Sequence, residues 1–175
     1  MKIYVVRHGE TIINTMRLIN SINPIGLNKN GKKQAKDASK QMPDIDLIIC
    51  SPIKRTKQTC KIMNIKNVDV IYDDRVIERN SRSMQFKKIN KIDFEKWYDP
   101  TKDIIYKDSE GFKSILNRIG LFLENIKNEY PDKNILIVTH GNICKAIRAY
   151  LLNIKEVKDI YSLEQKNCQI IEYNI

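Results

Sequence analysis

Several features are missing from the sequence, and each absence excludes a class of protein. No apolar run approaches the ~20 residues that a transmembrane helix needs, so no membrane-spanning segment is expected. The amino terminus reaches Arg7 and His8 too early for a secretory signal. Neither an internal repeat nor a low-complexity linker is present. The 175 residues are therefore expected to form one domain, residues 1–175, in the cytoplasm.

Patterns that bind metals are also absent. The chain has only two histidines, His8 and His140. Its four cysteines form no CxxC pair: Cys50, Cys60, Cys144 and Cys168. This is not the spacing of zinc ligands, and without an export signal the cysteines are expected to be reduced thiols. We therefore expect neither a bound metal nor another cofactor.

The formal net charge is +10, from 31 Lys and Arg against 21 Asp and Glu. Three explanations are open: nucleic-acid binding, attraction of an anionic substrate, and a coding bias towards Lys, Ile and Asn. The lysines are scattered from Lys2 to Lys166, and no aromatic residues alternate with them as in nucleic-acid-binding motifs. A non-catalytic basic nucleic-acid-binding protein stays an alternative, although we expect no nucleic-acid partner.

Short apolar segments alternate with helical ones along the chain. The segments that predict strands are 3–6, 46–50, 68–72, 134–139 and 168–173, the last as an edge strand. Helices are predicted over 28–41, 51–63, 109 to about 130, and 141–152. Ser51 is the expected N-cap of the second helix, and Asp108 or Ser109 that of the third. The alternation predicts an α/β fold with a mostly parallel sheet.

The segment from about 79 to 108 interrupts this alternation. It is charged and contains the only tryptophan, Trp97. We interpret it as a small cap inserted over one end of the sheet, with an ordinary long connection as the alternative. Trp97 and Tyr98 are expected to pack inside it. Arg79 and Arg82 are expected to be surface charges that contact a substrate carboxylate or a second phosphate, or else to belong to a solvated loop.

Three of the predicted strands lead into basic residues, either arginine or histidine. The first runs into Arg7 and His8, the second into the segment that contains Arg55, and the third into His140. Ligands of open α/β sheets bind beyond the carboxyl ends of the strands, so these side chains should meet in one crevice. Two guanidiniums suit a phosphoryl dianion. One imidazole can act as a nucleophile and the other as a cationic donor.

Short motifs also follow one another in a distinctive order. They are RHGET at 7–11 with Asn14 and Arg17, SPIKRTKQT at 51–59, IER at 77–79, Glu110 with Arg118, and THG at 139–141. In this order they resemble the histidine phosphatase superfamily, the phosphoglycerate-mutase-like proteins. The resemblance implies a three-layer α/β/α sandwich with a mostly parallel central sheet and a small cap insertion.

The resemblance also implies a function. It makes the protein a metal-independent phosphatase that hydrolyses a small phosphorylated metabolite through a phosphohistidine on His8. The residues that would hold the phosphoryl group are Arg7, Asn14, Arg55, His140 and Gly141. Glu78 would protonate the leaving oxygen and then activate water, with Glu10 as a rival carboxylate.

A phosphoglycerate mutase is the alternative reaction within this family. A mutase must keep its phosphoenzyme from water, which favours a larger cap than residues 79–108 can form. The short chain therefore favours hydrolysis. No heptad or apolar stripe in the sequence predicts an oligomeric interface, so the oligomeric state stays open.

Overall fold

The structure is a computed structural model that describes residues 1–175. The strands are β1 (Lys2–Arg7), β2 (Leu47–Cys50), β3 (Val70–Tyr72), β4 (Ile104–Ile105), β5 (Ser109–Glu110), β6 (Ile135–Thr139) and β7 (Ile170–Asn174). The helices are α1 (Ile12–Thr15), α2 (Lys29–Ser39), α3 (Lys54–Met63), α4 (Phe94–Trp97), α5 (Phe112–Glu129), α6 (Gly141–Leu151) and α7 (Val157–Ser162). Single 3-10 turns lie at Asp74–Val76, Arg82–Met84 and Ile89–Lys91.

Five strands form the central sheet in the order β3-β2-β6-β1-β7. Four of them, β1, β2, β3 and β6, run parallel, and β7 pairs antiparallel with β1 at the edge. The short strands β4 and β5 form a separate antiparallel pair. The prediction of a mostly parallel sheet with the last strand at its edge is confirmed.

Successive side chains of the central strands enter two different cores, because they point to opposite faces of the sheet. Ile3 and Ile137 lie in the core that includes α5 and α6, whereas Val6 and Val138 lie in the core that includes α2 and α3. The sheet is covered on both faces, which gives the predicted three-layer α/β/α sandwich. None of the helices has both the length and the apolar character needed to cross a bilayer.

Two predicted N-caps are wrong. Ser51 lies before the start of α3, and its hydroxyl is hydrogen-bonded to the ring of His140 (2.8 Å). Ser109 belongs to β5, where its hydroxyl donates to a backbone carbonyl of the preceding segment (2.7 Å). Neither Ser109 nor Asp108 caps α5, whose N-cap residue is Gly111. Both serine hydroxyls form tertiary hydrogen bonds, so they do not cap the helix starts nearby.

The segment 79–108 contains only short pieces of regular structure, namely two 3-10 turns, α4 and β4. It is held to the body of the protein by backbone hydrogen bonds. The N–H of Ile19 donates to the carbonyl of Lys87 (2.9 Å), and the N–H of Phe86 donates to the carbonyl of Ile19 (3.0 Å). Trp97 and Tyr98 are buried, as expected for residues that pack this segment.

Candidate active site

The carboxyl ends of β1 and β6 lie side by side. The register pairs Arg7 with Thr139, and the N–H of His8 donates to the carbonyl oxygen of Thr139 (2.9 Å). His8 and His140 therefore follow in the same row, with ring centroids 5.2 Å apart in an edge-to-face arrangement. The structure thus brings together the two histidines that the parallel strands predicted as neighbours.

The hydrogen bonds of His8 determine its tautomer. Its Nδ1 lies 2.7 Å from the carbonyl oxygen of Gly9, which can only accept, so Nδ1 carries the hydrogen. Its Nε2 faces the Nε–H of Arg55 at 3.1 Å and holds the lone pair. Burial lowers the pKa of His8 well below its usual range, and the charges of Arg55 and Arg7 lower it further. His8 is therefore a neutral imidazole, the form that acts as a nucleophile.

Arg55 is oriented by the loop that precedes α2. The guanidinium is fully buried; Nη1 donates to the carbonyl oxygen of Asn23 (3.1 Å) and Nη2 to that of Ser21 (2.8 Å). These bonds aim the Nε–H of Arg55 at His8. Burial lowers the pKa of Arg55 to about 10, so the group still carries its charge at neutral pH.

Arg7 lies at the end of β1 and lines the cavity beside His8. Its Nη1 donates to the carbonyl oxygen of Gln165 (3.1 Å), and its Nε has no partner in the protein. The backbone of Gly141 lies against this guanidinium, since a Cβ at that position would be 3.4 Å from Nε of Arg7. Arg7 therefore keeps an unpaired N–H beside the start of α6, where an anion is favoured.

His140 is fully buried, and its Nε2 lies 2.8 Å from the hydroxyl of Ser51. Its Nδ1 has no partner in the protein. Burial lowers the pKa of His140 well below its usual range, and Arg55 and His8 add to the effect. Burial and these charges therefore favour the neutral form of His140. A phosphoryl dianion nearby would favour its protonated form.

Glu78 reaches the site from the end of β3 through a single 3-10 turn. The hydroxyl of Thr139 donates to the carbonyl of Val76 (2.7 Å) and so ties this turn to β6. Glu78 is 5% exposed and lines the same cavity as His8. One of its oxygens, Oε1, accepts the N–H of Arg79 (2.9 Å) and the side-chain amide of Asn142 (3.1 Å).

Glu10, the rival carboxylate, lies outside the lining of this cavity. Its Oε1 accepts hydrogen bonds from the side-chain amides of Asn28 (2.8 Å) and Asn30 (3.2 Å). The neighbouring Gly9 packs against the helix α2, because a Cβ there would lie 2.4 Å from the carbonyl oxygen of Gly31. The residues around Glu10 therefore join β1 to α2, and Glu78 is the carboxylate placed at the cavity.

Asn14 also lines the cavity. Its Oδ1 accepts the backbone N–H (3.0 Å) and the hydroxyl (3.0 Å) of Thr11. An amide whose oxygen is used in this way has only its NH₂ group left for a ligand. Asn14 can therefore donate a hydrogen bond to an anion.

Arg79 and Arg82 do not line this cavity. The expectation that Arg79 is a surface charge is wrong. It is fully buried, 4.2 Å from the ring centre of Trp97, and its Nη1 donates to the carbonyl oxygen of Trp97 (2.8 Å). Arg82 is exposed and lines a second cavity of about 430 Å³ with Asp103 and Asp108, and Glu78 lines both cavities.

The cavity that contains His8 has a volume of about 1040 Å³. One side of it, which we call the cap wall, is made by residues 88–98 of the irregular segment. Its charged lining residues are Arg7, Arg17, Lys88, Lys145, Lys166, Glu78 and Glu164. Positive charge exceeds negative charge around this space. No three His, Cys, Asp or Glu side chains cluster closely enough to hold a metal ion.

Some residues that build the site were not predicted from the sequence to belong to it. Ser51 contacts His140, the hydroxyl of Thr59 accepts the N–H of Gly9 (3.0 Å), and the indole of Trp97 donates to Asn142 (3.3 Å). The position of Ser51 at the end of a strand was a usable signal. The position of Trp97 was not, because no spacing relates it to the strand ends.

A family model described as the histidine phosphatase superfamily (branch 1) matches residues 3–175. The chain belongs to the histidine phosphatase superfamily. This membership agrees with the position of the paired histidines and arginines at the carboxyl edge of the sheet.

Relatives within the superfamily carry different names. Phosphoserine phosphatase 1 of Hydrogenobacter thermophilus is 26% identical and aligns with 100% of this chain and 85% of its own length. Phosphatase PhoE of Bacillus subtilis, itself uncharacterised, is 31% identical over 85% of this chain and 75% of its own. An Escherichia coli O1:K1 protein named "Probable phosphoglycerate mutase GpmB" is 25% identical over 97% of this chain and 83% of its own.

A solved structure shows the same fold. YhfR of Bacillus stearothermophilus superimposes with a TM-score of 0.88 at 20% identity, over 99% of this chain and 91% of its own. The fold is therefore shared at low identity. Together, the family and its named members establish an enzyme of the phosphatase and mutase type.

Proposed function

We propose that the protein is a phosphatase that hydrolyses a small phosphomonoester through a phosphohistidine on Nε2 of His8. The observation that carries the proposal is the tautomer of His8. Its Nδ1–H is held by the carbonyl of Gly9, so the lone pair of Nε2 faces the Nε–H of Arg55. A phosphoryl group transferred to Nε2 would meet a fixed cationic donor at once.

In the first step, the Nε–H of Arg55 shifts from Nε2 of His8 to a phosphoryl oxygen. The freed lone pair of Nε2 attacks phosphorus, and the bond from phosphorus to the ester oxygen breaks. Arg7 and Arg55 stabilise the charge on the non-bridging oxygens. The ester oxygen leaves as an alcohol, with a proton that Glu78 donates. Glu78 is buried and lines the cavity that contains His8, which supports this role.

In the second step, water attacks the phosphohistidine. Glu78, now a carboxylate, accepts a proton from that water, and the bond from phosphorus to Nε2 breaks. His8 regains its lone pair and inorganic phosphate leaves, so the cycle restores every group. The positive charge in both steps comes from arginine side chains, and the proposal therefore includes no metal ion or other cofactor.

The proposed substrate is a small phosphorylated metabolite in the cytoplasm. The cavity of about 1040 Å³ is larger than a phosphate group, so it has room for the leaving group. Besides Arg7, the cavity is lined by the positively charged side chains of Arg17, Lys88 and Lys145. This charge favours anionic metabolites, and neither a nucleic acid nor a membrane enters the proposal.

A panel of phosphomonoesters tests the proposal. It contains phosphoserine, 3-phosphoglycerate, ribazole 5′-phosphate, sugar phosphates and nucleotides, with EDTA present. We expect the wild type to release phosphate from at least one ester and His8→Ala to release none. Acid-labile, base-stable phosphate should appear on the wild type during turnover. Full activity of His8→Ala, or complete loss of activity with EDTA, would overturn the mechanism.

Phosphoglycerate mutase activity is the second candidate, since a relative carries that name. Incubation with 3-phosphoglycerate separates the two reactions. A phosphatase releases inorganic phosphate, whereas a mutase forms 2-phosphoglycerate. We expect phosphate release to dominate, because the cap wall is a short segment and water must reach the phosphohistidine.

A further inference from the structure

Two hydrogen bonds connect the cap wall to the proposed general acid. The indole Nε1–H of Trp97 donates to Oδ1 of Asn142 (3.3 Å), and Nδ2 of Asn142 donates to Oε1 of Glu78 (3.1 Å). Trp97 is 2% exposed and Glu78 is buried. The three side chains line the cavity together.

The chemistry of the indole determines which way the amide of Asn142 points. An indole N–H is only a donor, so it requires the oxygen of the amide. The NH₂ group of Asn142 must then face Glu78. Without the indole N–H, the amide could turn its oxygen towards the carboxyl group and withdraw its donor.

The same bonds distinguish the two oxygens of Glu78. Oε1 accepts two N–H groups, from Asn142 and from the backbone of Arg79. Oε2 accepts no hydrogen bond from the protein. A protonated carboxyl group places its hydrogen on the oxygen that has fewer donors around it, which here is Oε2. The bonds to Oε1 thus turn Oε2 into the proton donor and fix its direction.

Trp97 itself is held firmly. The guanidinium of Arg79 lies 4.2 Å from its ring centre and donates to its carbonyl oxygen (2.8 Å). Tyr106 packs on the ring with centroids 6.0 Å apart. The buried Arg79 therefore supports the indole that orients Asn142.

We propose that Trp97 and Asn142 are positioning residues that orient Glu78, so that Oε2 protonates the ester oxygen of the substrate. The inference rests on the proposed function, because it assigns Glu78 the role of general acid. It assigns neither Trp97 nor Asn142 a contact with the reacting atoms. Its consequence is that the cap wall controls proton transfer to the leaving group.

The dependence of the rate on the leaving group tests this role. An alkoxide is a poor leaving group and needs a proton, whereas p-nitrophenolate leaves without one. In Trp97→Phe we expect kcat/KM for the fastest alkyl ester of the panel to fall about tenfold or more, within the ~10²–10⁴ that a general acid contributes. For p-nitrophenyl phosphate it should fall less than about twofold. Glu78→Gln should show the largest difference between the losses of kcat/KM for the two esters.

Further variants keep the test decisive. Asn142→Leu removes the amide at nearly constant volume and should reproduce this difference, even if Trp97→Phe folds poorly. Tyr106→Phe is the matched control in the same segment, because it removes a hydroxyl that only accepts the N–H of Asp93 (2.9 Å), and both rates should stay at the wild-type level.

The possible failures can be told apart. Equal losses on both esters in Trp97→Phe and Asn142→Leu, or no loss on either, would overturn the positioning role while the phosphatase stands. If His8→Ala keeps the wild-type rate, the proposed function fails together with this inference.

Discussion

Arg7 ends β1, and His8 and His140 directly follow β1 and β6 at the carboxyl edge of the sheet, the region that would hold the phosphoryl group. Arg55 joins them from the first turn of a helix, and we call this group the phosphate end. The cap wall opposite has no strand and only a short helix behind it. The phosphate end thus depends on sheet register, whereas the cap wall depends on the packing of buried side chains such as Trp97. Local motifs can specify the first arrangement but not the second.

A substitution at Arg55 tests the phosphate end most strongly. Arg55→Lys keeps the charge but loses the planar guanidinium group. That group donates to the carbonyls of Ser21 and Asn23 and at the same time directs its Nε–H at His8. We expect kcat to fall by about 10²–10³, as when one fixed donor to a transition state is removed. Steady-state kinetics on the best ester of the panel measures the loss.

The control for that experiment is Lys54→Arg, an exposed neighbour on the same helix, which should keep wild-type kinetics. Thermal unfolding of both variants shows whether they are folded at the assay temperature. An Arg55→Lys enzyme as active as the wild type would contradict the role of the guanidinium group.

The two buried histidines make stability depend on pH. An unfolded histidine binds a proton near pH 6.5, whereas burial lowers the pKa of His8 and His140 in the folded protein. Below that pH the unfolded state binds more protons, so the free energy of unfolding falls by up to ~1.4 kcal/mol per pH unit for each histidine. Above it, the contribution is fully present.

Urea denaturation across about pH 8 to pH 5 measures this slope. His140→Gln, which has no titrating ring, should lose part of it. Identical slopes in the wild type and in His140→Gln would show that the folded protein does not keep His140 neutral.

The smallest effect is expected at Arg82. It is exposed and lies outside the cavity that contains His8, so Arg82→Ala should leave KM within about twofold of the wild type. Michaelis constants for the best ester measure it. A tenfold rise in KM would show that the substrate site extends beyond the cap wall to Arg82. The contrast between the phosphate end and the cap wall would then be weaker.

Residues at strand ends could be placed from the sequence because parallel strands share one carboxyl edge. Arg7, His8 and His140 needed only the positions of two strands and the rule that ligands bind beyond their ends. Glu78 needed the family resemblance, since a 3-10 turn separates it from its strand. The structure then favoured it over Glu10, whose side chain is bonded to two amides of α2 and its N-cap.

Arg79 shows why the remainder could not be predicted. Its sequence context is charged and polar, which favoured a surface position. The structure buries it against aromatic rings, 4.2 Å from that of Trp97. Whether an arginine is solvated or buried depends on which distant side chains pack around it, and no local pattern contains that information.

The sequence by itself determined the α/β alternation, the parallel sheet and the meeting of two histidines and two arginines at one edge. These follow from hydrophobic periodicity and strand direction, which are local properties. The tertiary structure decided the contact between His8 and Arg55, the burial of His140, the position of Glu78 at the cavity and its link to Trp97. Each of these depends on a hydrogen bond or on burial between residues distant in the chain, and such contacts exist only once the chain has folded.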